Sequence, residues 1–255
     1  MKNTIGVCRL CGKTGKLSYE HTPPAKAFND QRVLEMNVKG LLFGKTPLST
    51  ILKDPKGKTN QRGAGGYTLC EKCNSITGSW YGNQYVEFVK QAMPYASKVP
   101  LGMGGVLNFG IAPLNVLKQF ATMFLSANSP RFTKIHTELV RFVQNKEQSD
   151  LPRRYKFLLA LRYDGGPTFS RQSGITGRID FEKQRTYIYS EIAYPPFVAV
   201  LAVNSPSPDS RLLDISWFRH HKLDQKVDVN LRLFSLPIVS YLPGDYRSED
   251  EVRKI

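Results

Sequence analysis

The sequence predicts an α+β fold in which a small metal-stapled module precedes a larger domain with a mostly antiparallel sheet. Three observations support this prediction. All four cysteines fall into two Cys-x-x-Cys pairs in the first third of the chain, apolar residues at helical spacing follow Pro113, and strand-like segments dominate after Arg154. With 255 residues, of which 41% are hydrophobic, the chain is long enough to bury a core around these elements.

The cysteine pairs are Cys8-x-x-Cys11 and Cys70-x-x-Cys73. Two thiolates separated by two residues on a tight turn can face one ion, and Zn²⁺ takes four such ligands in a tetrahedron. The interval between the pairs exceeds the usual spacing of about 15–20 residues, so we expect an insertion there. A redox dithiol and four separately buried cysteines are the alternatives. We predict one structural zinc ion.

Two short strands and a helix are expected around this zinc site. Alternation at Leu17 and Tyr19 predicts a strand that ends before two prolines, and residues 66–70 predict a second strand. Apolar spacing over residues 74–93 predicts a helix that ends at the next residue, a proline. We therefore place a zinc-stapled module at residues 1–93.

The remainder of the chain divides into a connection and a second domain. Residues 94–108 are rich in proline and glycine and predict a linker or crossing segment, and residues 109–255 form the second domain. Pro113 marks a helix start, and a second helix is expected over residues 133–143. Strands are expected at 155–161, 178–181, 185–192, 197–203, 226–234 and 238–242. No motif in this domain indicates its role.

Between the cysteine pairs lies Glu20-His21-x-x-Pro24, and Asn74 directly follows the second pair. Together with the two Cys-x-x-Cys pairs, these residues resemble the zinc-finger branch of the HNH endonucleases, the ββα-metal or treble-clef nucleases. The resemblance covers roughly residues 5–93. It implies that Glu20 is an acidic ligand of a catalytic metal, that His21 is the general base and that Asn74 is a second metal ligand.

The family also has an asparagine shortly before the second cysteine pair, which orients the catalytic histidine. This chain has Gly63-Ala64-Gly65-Gly66 there, and Asn60 is the nearest asparagine. The resemblance therefore implies that Asn60 orients His21.

The implied activity is hydrolysis of phosphodiester bonds, in DNA, by an HNH-type endonuclease with a single catalytic Mg²⁺ or Mn²⁺. An imidazole suits removal of a proton from water near neutral pH, and carboxylate and amide oxygens suit Mg²⁺. Taken as single residues, the three have other interpretations. Asn74 could cap the helix, His21 could bond a backbone carbonyl, and Glu20 could be a surface carboxylate.

The net charge is +15, from 36 lysines and arginines against 21 aspartates and glutamates. Cations are dense between the cysteine pairs, and the candidates for nucleic-acid contact are Lys45, Lys53, Lys56, Lys58 and Arg62. Excess positive charge of this kind favours a polyanionic partner such as DNA. A solvated basic loop is the alternative.

The sequence has no run of about 18 apolar residues and no apolar segment near its first residue, so we expect no membrane span and a cytoplasmic location. Two alternatives to the nuclease remain. One is a non-catalytic zinc-binding module that binds nucleic acid, and the other is an interaction protein whose zinc site only stabilises the fold.

Overall fold

A computed structural model describes residues 4–35, 57–96, 98–162, 171–180 and 185–236. These residues form a mixed α+β fold, as the sequence predicts. The strand expected at 238–242 lies outside the described residues, as do Lys45, Lys53 and Lys56.

The N-terminal strands form two small sheets. They are β1 (Ile5–Val7), β2 (Thr14–His21), β3 (Val33–Glu35), β4 (Lys58–Asn60) and β5 (Gly65–Cys70). One sheet has the order β1-β2-β5, and β3 pairs with β4 as a separate ladder. The insertion predicted between the cysteine pairs therefore leaves from β2 and returns through β5.

Strands β2 and β5 pair antiparallel, with Tyr19 opposite Tyr67 and His21 opposite Gly65. The register shifts just before Tyr19, which marks a β-bulge. Because side chains alternate along a strand, Tyr19 and His21 share one face of the hairpin and Glu20 lies on the other.

A nearly continuous helical segment follows the hairpin. It consists of α1 (Glu71–Thr77), a π-helical turn (Gly78–Gly82) and α2 (Asn83–Ala96). The helix predicted to stop before Pro94 continues past it, because a proline near the end of a helix removes few backbone hydrogen bonds while Ala92 and Ala96 stay buried.

The second part contributes three helices and seven strands within the described residues. They are α3 (Pro113–Ala127), α4 (Pro130–Ile135), α5 (Thr137–Gln144), β6 (Gly104–Ile111), β7 (Tyr155–Arg162), β8 (Arg171–Asp180), β9 (Arg185–Tyr194), β10 (Phe197–Val203), β11 (Leu213–Asp214) and β12 (Val227–Leu236). A 3₁₀ turn covers Ser216–His220. The sheet order is β6-β12-β7-β10-β9-β8, with β11 beside β7. All pairs are antiparallel except β12 with β7.

Two segments of this part differ in detail from what the sequence predicts. The segment over residues 94–108, expected to be a linker or crossing segment, contains the end of α2 and most of β6, whose buried positions alternate with exposed ones as in an edge strand. The helix expected over residues 133–143 is two helices, because His136 leaves helical geometry with φ −103° and ψ 54°.

Helix α3 lies at the centre of the core and is buried from Pro113 to Ser126. The same hydrophobic cluster includes Leu17 and Leu69 of the hairpin and Leu159 and Leu201 of the large sheet. The hairpin and the sheet therefore pack as one unit around α3. No helix within the described residues is long and apolar enough to cross a membrane.

Candidate functional site

The four cysteines converge on one point. Their Sγ atoms all lie within 4.8 Å of one another, and the Sγ atoms of Cys11 and Cys70 are 3.9 Å apart. A tetrahedral zinc ion with Zn–S bonds of about 2.3 Å has sulfur–sulfur edges of about 3.8 Å. All four thiols are free of disulfides. The cluster could therefore hold the predicted zinc ion.

Local structure explains why the sulfurs meet. The first pair lies in the turn between β1 and β2, where the Gly12 N–H donates to the Cys8 carbonyl at 2.9 Å. Gly12 has a φ of +72°, which a glycine adopts without strain. The second pair spans the end of β5 and the first turn of α1. A metal here would join the first turn, the hairpin and the helix.

The four thiols differ in their pKa values. A hydrogen bond from Cys73 lowers the pKa of Cys8 to about 4, and the same contact raises the pKa of Cys73. Burial raises the pKa of Cys11. A divalent ion that binds here would displace the thiol protons.

The Glu20 side chain lies on the inner face of the hairpin, where it is only 5% exposed. Its carboxylate accepts a hydrogen bond from the Thr68 hydroxyl at 3.1 Å. Burial raises the pKa of Glu20 to about 7, while hydrogen bonds from Ser126 and Thr68 and the charge of Arg9 act in the opposite direction. Glu20 is therefore a core residue, and neither the predicted metal-ligand role nor the surface interpretation fits it.

His21 lies on the outer face of the hairpin and is half-buried. Its ring centroid is 5.1 Å from that of Tyr19, in an edge-to-face contact. Burial lowers the pKa of His21, and so does the positive charge of Arg62. The Arg62 backbone and the negative charge of Asp30 act in the opposite direction. The net direction is downward, so the imidazole is neutral at pH 7.

Asn60 bonds to Tyr19 and to Arg62, which both lie beside His21. Its amide nitrogen donates to the Tyr19 hydroxyl at 2.5 Å, and its amide oxygen accepts from the Arg62 N–H at 3.0 Å. The Tyr19 hydroxyl in turn donates to the Gly63 carbonyl at 2.8 Å. Asn60 thus holds the backbone of Arg62, and that backbone raises the pKa of His21.

Asn74 lies in α1, beside the β-bulge of β2. Its amide nitrogen donates to the Ser18 hydroxyl at 3.1 Å and to the Tyr19 carbonyl at 3.2 Å. The N-cap position of α1 is Cys70, so the capping interpretation of Asn74 is wrong. Asn74 holds β2 against the helix.

The residues predicted to bind a catalytic Mg²⁺ or Mn²⁺ do not fit that ion. The Glu20 carboxylate faces the core and is engaged there, on the side of β2 opposite His21. A shared metal needs at least three His, Cys, Asp or Glu side chains close together. Within the described residues, only the four cysteines form such a group.

Asn29 is a structural residue that the sequence analysis missed. It is fully buried, its amide nitrogen donates to the carbonyls of Pro23 (2.5 Å) and Ala64 (2.7 Å), and its oxygen accepts from the Ala64 N–H (2.6 Å). Gly63 has a φ of +79°, and a Cβ there would collide with the Asn29 backbone oxygen. Asn29 therefore ties the loop after His21 to the residues before β5, a long-range contact that no local spacing signals.

A cavity of about 340 Å³ opens beside the outer face. It is lined by Tyr19, Tyr67, Asn60, Lys58 and Arg62, with smaller residues between them. The Arg62 guanidinium lies 5.8 Å from the centroid of the Tyr19 ring. Both cations are exposed, and they are the described members of the predicted nucleic-acid-binding set.

We call the surface formed by Tyr19, His21, Lys58, Arg62 and Tyr67 the His21 face. It combines a neutral imidazole, two cations and two aromatic rings on one side of the hairpin. Comparison with protein-family models, with curated proteins and with solved structures finds no match to the chain.

Proposed function

We propose that the protein is an HNH-like endonuclease that hydrolyses phosphodiester bonds in DNA at the His21 face. The observation that carries the proposal is the position of His21. A half-buried imidazole with a lowered pKa lies against Tyr19, whose ring lines a cavity that also contains Lys58 and Arg62. A neutral base and phosphate-binding cations are two of the parts that hydrolysis of a phosphodiester requires.

In the proposed mechanism, His21 removes a proton from the attacking water, whose oxygen forms a new P–O bond to the phosphate. The P–O bond to the leaving sugar oxygen breaks, and a solvent water gives that oxygen its proton. The edge-to-face contact with Tyr19 holds the His21 ring, and a neutral imidazole has one ring nitrogen that can accept that proton. The side chains of Lys58 and Arg62 bind phosphate oxygens and stabilise the negative charge that develops on them. Because Glu20 is buried, we derive no step that uses a catalytic metal at Glu20 and Asn74.

Zinc has a structural role in this proposal. Four sulfur ligands fill its tetrahedral shell, so no position stays open for water or substrate. The ion would fix the first turn, β5 and α1 relative to one another, because each of these contributes a cysteine. The zinc site would thereby fix the start of β2, the strand that carries His21 at its other end.

Cleavage of supercoiled plasmid and of single-stranded circular DNA by the parent protein and by His21→Ala, with and without added Mg²⁺ or Mn²⁺, tests the proposal. Loss of a general base typically costs about 10²–10⁴-fold in rate, and we expect a loss of that size without a change in zinc content or melting temperature. His220→Ala is the matched control, since His220 is exposed at the end of the 3₁₀ turn. Equal cleavage by parent and His21→Ala, or none by either, would refute the proposal.

The second candidate is a non-catalytic zinc module that binds nucleic acid. The burial of Glu20 favours it, because the predicted catalytic metal then lacks its carboxylate while the cations and tyrosines of the His21 face remain in place. This candidate predicts binding that weakens steeply with salt and no turnover under any metal condition. The plasmid assay, combined with a binding titration at two salt concentrations, separates the two.

A further inference from the structure

We propose that the cavity of the His21 face receives a single unpaired nucleobase, stacked on Tyr67, so that the substrate is single-stranded or locally unpaired nucleic acid. This inference rests on the proposed nucleic-acid function of that face and names the form of nucleic acid that it takes. It stands on three features of the cavity: an exposed ring, a concave shape and a cationic rim.

Tyr67 supplies the exposed ring. It is 39% exposed, and its ring meets that of Tyr19 edge-to-face, with centroids 5.5 Å apart and planes at 79°. Tyr19 is fixed by hydrogen bonds of its hydroxyl with Gly63 and Asn60, so it forms a rigid support for Tyr67. A supported, exposed aromatic ring is the feature on which proteins stack single bases.

The cavity is the concave feature. Its volume of about 340 Å³ is at the lower end of the range of small-molecule sites, which suits one nucleotide unit rather than a length of duplex. A base that remains stacked in a double helix cannot enter a concave site, and extrusion costs free energy that unpaired bases do not incur. The shape therefore favours an unpaired base.

Lys58 and Arg62 give the cavity its cationic rim, where the phosphates next to a bound base would lie. The Asn60 amide uses its nitrogen on Tyr19 and its oxygen on Arg62. The side chain best suited to read a base edge is thus already engaged in holding the site together. We therefore expect binding that depends on strandedness and tolerates changes of sequence.

The test measures binding without cleavage. Zinc-loaded His21→Ala protein is titrated, by fluorescence anisotropy, into a short labelled oligonucleotide as a single strand and as a duplex. We expect the single strand to bind at least about tenfold more tightly, and we expect Tyr67→Leu to weaken that binding by about 5- to 150-fold, the range of one base–aromatic stack. Tyr67→Phe retains the ring and should retain the affinity.

Lys58→Ala is the electrostatic control. It should weaken single-strand and duplex binding alike and reduce the salt dependence by about one charge. An unlinked mononucleotide serves as competitor, and we expect it to compete poorly because it lacks the neighbouring phosphates. Zinc content and melting temperature show whether each variant is folded.

Equal affinity for single strand and duplex, no effect of Tyr67→Leu, or a mononucleotide that binds as tightly as the oligonucleotide would overturn the inference. These outcomes are independent of cleavage. Tyr67-dependent binding in a protein that cuts nothing would support the inference and refute the nuclease. Cleavage that depends on His21 and is indifferent to Tyr67 would do the reverse.

Discussion

The two faces of the β2–β5 hairpin differ more than any sequence pattern indicates. The inner face carries Glu20 and Thr68, which meet Ser126 of α3 in the core. The outer face carries His21 and Tyr67 beside an open cavity. Adjacent residues of one short motif thus enter different environments, one in the core and one beside an open cavity.

This difference shows what a motif can and cannot convey. Glu20 and His21 are neighbours in the chain, so a resemblance to a family assigns a functional role to both residues. Burial raises the pKa of the Glu20 carboxyl and lowers the pKa of the His21 imidazole, so that burial disfavours the charged form of each group. The same physical cause favours the protonated, neutral form of Glu20 and the deprotonated, neutral form of His21.

Loss of zinc should have the largest effect, because both faces depend on it. Structural zinc in small modules binds with about 10–16 kcal/mol of apparent free energy, and the cluster joins the turn, the hairpin and α1. We expect about one zinc per chain in the parent and, in Cys70→Ser, loss of zinc together with a large drop in melting temperature. Elemental analysis and thermal unfolding measure both.

Ser75→Ala is the control for that experiment, since Ser75 is exposed on the same helix. It should keep its zinc and its melting temperature. A fully folded parent protein without metal would refute the zinc site.

Replacement of Asn29 should affect the outer face next most strongly. Asn29→Ala removes three hydrogen bonds and leaves the buried Ala64 N–H without its partner, at a cost of about 1–3 kcal/mol for that group. We expect a lower melting temperature, retained zinc and cleavage reduced through displacement of the loop after His21. Asn83→Ala, at an exposed position, is the control. If Asn29→Ala left stability unchanged, the role given to this residue would be wrong.

The two faces should also differ in their response to pH. The pKa of His21 is lowered, so cleavage should rise with pH through a midpoint below 6.5 and be level above neutrality. The pKa of Glu20 is raised from 4.5 to about 7, so the native state holds its proton more tightly than the unfolded state. Its contribution to stability is therefore complete below pH 4.5 and is lost as the pH rises through about 7.

A pair of measurements separates these effects. A pH–rate profile reports on His21, and denaturant unfolding of parent and Glu20→Gln across the same pH range reports on Glu20. The difference in stability between the two proteins should shift with pH in the direction given above. A cleavage midpoint well above 6.5 would contradict the environment assigned to His21.

Sequence reasoning succeeded where a property is local. The spacing of the cysteine pairs predicted a cluster that the structure brings within 4.8 Å, and the strand expected at 197–203 is β10 at its observed bounds. Pro113 correctly marked the start of α3. Each of these follows from a few neighbouring residues and one geometric rule.

Sequence reasoning failed where a property depends on distant residues. Glu20 is buried because α3, more than a hundred residues later, brings Ser126 against the hairpin. Asn29 bonds Ala64 across the insertion, and Asn60 bonds Tyr19 from 41 positions away. Contacts of this kind leave no periodic pattern in the sequence, so they can be identified only from the folded structure.

The most direct test of the account is to change the two neighbouring residues conservatively and in parallel. Cleavage and thermal unfolding are measured for parent, Glu20→Gln and His21→Gln. We expect Glu20→Gln to keep cleavage within a few fold, whereas His21→Gln should lose at least about 100-fold at an unchanged melting temperature. Loss of cleavage in Glu20→Gln, with zinc content and melting temperature retained, would place the carboxylate in the reaction and contradict the division between the two faces.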